Sequence, residues 1–61
     1  MTDTDIILQA YADTLRKMYT IFFDSTNVAD TPAKRSQAET RFKAGVVSAR
    51  AIRDRAIELA A

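Results

Sequence analysis

Leu8, Tyr11, Leu15, Met18 and Phe22 follow one another at spacings of three, four, three and four residues, the period that gathers side chains into one stripe of an α-helix. Ala12 and Tyr19 widen the stripe on one side and Ile7 and Ile21 on the other, while Gln9, Asp13, Arg16, Lys17 and Thr20 fill the remaining polar arc. Thr2, Asp3 or Thr4 supplies an N-cap oxygen, and Asp3 and Asp5 place negative charge where the helix dipole favours it. A first helix is therefore predicted over about 4–24, with Asp13 and Lys17 paired one turn apart on its wet side.

Turn formers and helix breakers then cluster at Asp24, Ser25, Thr26, Asn27, Asp30, Thr31 and Pro32, which predicts a connection over about 25–31. Thr31-Pro32 is a start signal with a mechanism: threonine caps, and proline at the first helical position lacks only an N–H that had no partner. A second helix is predicted over about 32–60, with Ser36 and Glu39 as an alternative capping box that would leave Pro32–Arg35 as a separate turn. Ala38, Phe42, Gly45, Ala49, Ile52, Ala56 and Leu59 then repeat at alternating spacings of four and three. Gly45 inside a helix costs about 1 kcal/mol relative to alanine. Its place on this stripe argues that a partner backbone or a large side chain lies against it.

The two stripes differ in kind. Four of the five aromatic residues lie in the first 23 positions, whereas the second stripe is mostly alanine and glycine interrupted by Phe42, Ile52 and Leu59. Large side chains facing small ones let two helices interdigitate. A connection of about seven residues folds them back antiparallel. The expected fold class is all-α: one antiparallel two-helix hairpin domain spanning 1–61. One seam cannot cover an apolar arc wider than half a helix. Ile7, Ile21 and Phe23 on the first helix are left over, as are Val47, Ala51 and Ile57 on the second. These six are the expected oligomer or partner interface, completing a four-helix bundle or larger helical assembly by self-association. Tyr19, Phe22 and Phe23 cluster near the turn, and adjacent Phe22 and Phe23 cannot face the same way.

Composition removes chemistry from the picture. The chain has no His, no Cys and no Trp, one Gly and one Pro. Disulfide frameworks, zinc fingers, imidazole bases and thiolate nucleophiles are therefore excluded. A single glycine cannot build a phosphate-cradling loop. Asp3 and Asp5 read as helix-start residues, and Asp54 and Glu58 have Arg50, Arg53 and Arg55 beside them. The expectation is a protein that is not an enzyme and takes no metal or cofactor. Its longest apolar run, Ala44-Gly45-Val46-Val47, is far short of a membrane span. The acidic start Met-Thr-Asp-Thr-Asp is unlike a signal peptide, so a cytoplasmic protein without membrane association is expected.

Charge is divided between the halves. Residues 1–30 carry two bases and five acids, a net of −3, and residues 31–61 carry seven bases and three acids, a net of +4. The bases form no single stripe: Lys34, Arg41 and Arg55 flank one edge of the second helix, Arg35 and Arg53 the other, and Lys43 and Arg50 point outward. Acidic first helix against basic second helix reads first as pairing across the hairpin. The leading functional expectation is a structural, assembly or adaptor subunit acting by helix–helix packing in a homo-oligomer or multisubunit particle, such as a viral one. One alternative is a small dimeric regulator binding RNA or DNA through Lys43 and Arg50. Another is a partner-inhibiting, antitoxin-like protein.

Overall fold

The computed structural model describes residues 1–61 as two α-helices, α1 (Asp3–Val28) and α2 (Pro32–Ala60), packed against each other with no strand. Thr2 caps α1: its hydroxyl accepts from the Asp5 N–H at 3.1 Å, and the Asp5 carboxylate accepts from the Thr2 N–H at 3.2 Å. This reciprocal box satisfies two donors at once.

α1 runs past the expected stop near Asp24 and ends at Val28. Ser25, Thr26 and Asn27 are only weak helix formers, costing a few tenths of a kcal/mol each, and such penalties do not end a helix that has packing to gain. The hard stop is Pro32, which drives the residue before it out of the α region. Thr31 is accordingly extended, with φ −133° and ψ 154°. The connection shrinks to Ala29, Asp30 and Thr31. The Ala29 N–H donates back to the Thr26 carbonyl at 3.3 Å, and the Lys34 ammonium reaches the Asp30 carboxylate at 2.9 Å.

α2 starts where proline and threonine direct it. The Thr31 hydroxyl accepts from the Lys34 N–H at 3.2 Å, with Pro32 in the first turn. Ser36 is not a second start: the helix is continuous through it, and its carbonyl accepts from the Thr40 hydroxyl at 2.9 Å. On the wet side of α1, Asp13 pairs with Arg16 at 2.6 Å rather than with Lys17.

Two contacts fix the register of the hairpin. Phe22 stacks on Phe42, with ring centroids 4.7 Å apart, and the Arg53 guanidinium lies 4.5 Å from the centroid of Tyr11. Between them Met18 meets Gly45, where an added Cβ would stand 3.0 Å from the methionine sulfur. Ala38 is the one buried residue, at 7% exposure. The hairpin is a slab whose extents are 46 × 17 × 7 Å, with a radius of gyration of 14.3 Å. A globular chain of this length would have a radius of roughly 10 Å.

Candidate functional site

The seam departs from the alternating three-four stripe at both open-end positions. Going down α1 from Phe22, half-buried residues fall at Met18, Leu15, Tyr11 and then Ile7, while Leu8 is 45% exposed. On α2 the half-buried run goes from Phe42, Gly45 and Ala49 to Arg53, Ala56 and Ile57. Ile52 and Leu59 stand off it, at 66% and 70% exposure. Leu8, Ile52 and Leu59, expected at the seam, stand exposed in the single chain, and Ile7 and Ile57, expected on the leftover face, are half-buried.

The reason is helical pitch. A stripe alternating threes and fours repeats every seven residues and drifts about 20° per repeat against a straight helix. The observed seam repeats every eleven: Ile7 and Met18, Tyr11 and Phe22, Phe42 and Arg53, Gly45 and Ala56. That is 3.67 residues per turn, close to the 3.6 of a straight helix. Sequence reasoning placed Arg53 at an edge; the eleven-residue spacing from Phe42 was the signal that it belongs at the seam. Its Nε donates to the Asp54 carboxylate at 2.9 Å, and this bond, against partial desolvation, holds the guanidinium's proton affinity above its ordinary value.

The remaining interface candidates lie on the surface. Ile21, Phe23, Val47 and Ala51 are exposed. They divide between the two broad sides of the slab and its outer edge. On one side, Leu8, Tyr19 and Phe23 crop out of α1, with the Tyr19 and Phe23 rings 6.2 Å apart. The other side holds two shallow grooves. The larger, of about 300 Å3, is walled by Ile7, Ala10 and Thr14 of α1 and by Ala49, Ile52 and Ala56 of α2, with Tyr11 and Arg53 at its base. The smaller, of about 170 Å3, lies toward the turn between Ile21, Phe22 and Ser25 and Ala38, Arg41 and Phe42. Both are lined mainly by carbon, and small residues on each helix create the space.

Lys43 and Arg50 are exposed, seven residues apart on one edge of α2, and neither forms an ion pair. No group of three or more carboxylates gathers to hold a metal ion. No helix is long and apolar enough to cross a membrane.

Fold and surface together define a two-helix hairpin with an open, grooved apolar side. No protein-family model matches the chain, and no curated protein or solved structure is detectably similar to it.

Proposed function

We propose that this chain is a non-catalytic assembly subunit that acts by packing its helices against other subunits, in a homo-oligomer or multisubunit particle assembled in the cytoplasm. The observation that carries the reading is surface. A folded monomer of 6.8 kDa exposes about 4,000 Å2, whereas this hairpin exposes 4804 Å2. The excess, about 800 Å2, equals what one partner contributes to a standard protein–protein interface. Much of it is apolar, since Ile21, Phe23, Val47, Ile52 and Leu59 all stand more than half exposed.

Concentration tests this. Melting followed by circular dichroism is expected to shift upward as protein concentration rises, with a native mass above one chain by sedimentation. A cooperative monomer whose melting temperature is the same at all concentrations overturns the reading.

The second reading, RNA or DNA binding along α2, is favoured by one observation: Lys43 and Arg50 project from the same edge without acidic partners. Under it, binding falls steeply between low and moderate salt and is lost in the Lys43→Ala, Arg50→Ala double variant.

A further inference from the structure

The two grooves open on the same side of the slab. On α1, Ala10, Thr14 and Ile21 are spaced by four and seven, and on α2, Arg41 and Ile52 are spaced by eleven, so one edge of each helix borders both grooves. On this side α2 presents Ala38, Gly45, Ile52 and Ala56 with Lys34 and Arg41 and no acid. On the opposite side Val46 and Ile57 of α2 are hemmed by Arg35, Glu39 and Arg50, while Arg53 lies at the base of the large groove. The grooved side is the one where exposed apolar side chains lie beside open recesses that a neighbour can fill.

We infer that a second copy of this chain covers the grooved side, in a two-fold dimer whose axis runs along the length of the hairpin. The inference rests on the assembly reading above and supplies its partner and geometry. Two in-plane axes can bring the grooved sides together. A crosswise axis sets α1 on α1 and α2 on α2, acid facing acid and base facing base. The lengthwise axis sets α1, with its half of the chain at −3, across α2, with its half at +4.

The register then pairs specific residues. Phe22 opposite Phe42 and Tyr11 opposite Arg53 place Asp24 and Arg41 within one residue of the same height along the hairpin. Neither has an ion-pair partner in its own chain. A lengthwise axis preserves height, so Asp24 of each copy faces Arg41 of the other. The same operation sets Ile52, level with Ala12, over the large groove between Ala10 and Thr14 of the other copy. Ile21 meets the small groove beside Ala38 and Phe42. Ile52 meets a recess edged by Ala10 and Thr14, and Ile21 one edged by Ala38 beside Arg41 and Phe42.

Sedimentation equilibrium in low salt on the parent, four single variants and one double variant tests this. The parent is expected to be a dimer. Asp24→Arg and Arg41→Asp each turn attraction into repulsion at two symmetric places, weakening the dimer roughly ten-fold, and their combination restores parental affinity. Ile52→Asp dissociates the dimer, while Tyr19→Asp, equally exposed on the other side, does not. Charge reversals without effect, or dissociation by Tyr19→Asp and not by Ile52→Asp, overturn the face and register but leave the assembly reading standing. A parent that associates only with a different protein overturns the second copy as occupant. A parent monomeric at every concentration overturns inference and reading together.

Discussion

Gly45 lies against Met18 of α1, and two substitutions there measure different forces. Alanine removes a helix penalty of about 1 kcal/mol. Its Cβ would stand 3.0 Å from the Met18 sulfur, but that sulfur ends a flexible side chain that can retreat a few tenths of an ångström. Gly45→Ala is expected to stabilise by about 0.5 kcal/mol, the propensity gain less the strain of repacking. Gly45→Leu adds three more carbons that Met18 cannot vacate, and is expected to destabilise by about 2 kcal/mol. Urea melts of both variants at fixed protein concentration decide the matter: a destabilised alanine variant would mean that Met18 is locked, and a tolerated leucine that the helices are not in close contact there. Arg53 teaches the complementary point. Its planar group covers Tyr11, so an arginine occupies a seam position that a tally of apolar residues would give to Ile52.

At the scale of elements, the chain is terminated by chemistry more than by composition. Thr31→Ala removes the hydroxyl that accepts from the Lys34 N–H and is expected to cost about 1 kcal/mol. Thermal melts of Thr31→Ala and Thr31→Ser separate a lost cap from a lost methyl, because serine keeps the oxygen. The start of α2 was legible for that reason: Thr31-Pro32 is a signal with one structural meaning. The end of α1 was not, because Ser25, Thr26 and Asn27 are preferences of a few tenths of a kcal/mol that packing overrides. The seam was legible near the turn, where Phe22 and Phe42 fix it. At the open end seven- and eleven-residue repeats drift apart far enough that Ile7 is half-buried where Leu8 is exposed, and Arg53 where Ile52 is. The grooves could not be read from one helix, since each forms only where small residues on both edges come level.

For the whole molecule, the consequence of the lengthwise axis is where the chain ends fall. Met1 and Ala61 lie at the same end of an antiparallel hairpin. A lengthwise dimer collects all four ends at one end of the bundle and sets the end of α2 beside the start of α1 of the other copy, about 10 Å away at ordinary helix spacing. A crosswise dimer would send them to opposite ends of a slab 46 Å long. A linker of about eight Gly and Ser residues has an average span of roughly 16 Å and a limit of roughly 28 Å, so it reaches in the first arrangement and falls short in the second. Two copies joined head to tail by this linker are therefore expected to fold as a single closed unit with the mass of one tandem chain. Linkage raises the effective concentration to the millimolar range, so the melting temperature should exceed that of the free chain and no longer depend on dilution. With a crosswise axis the same tandem chain can satisfy its grooves only on another molecule. It would then run as a pair or a longer string of tandems, with melting that still follows concentration.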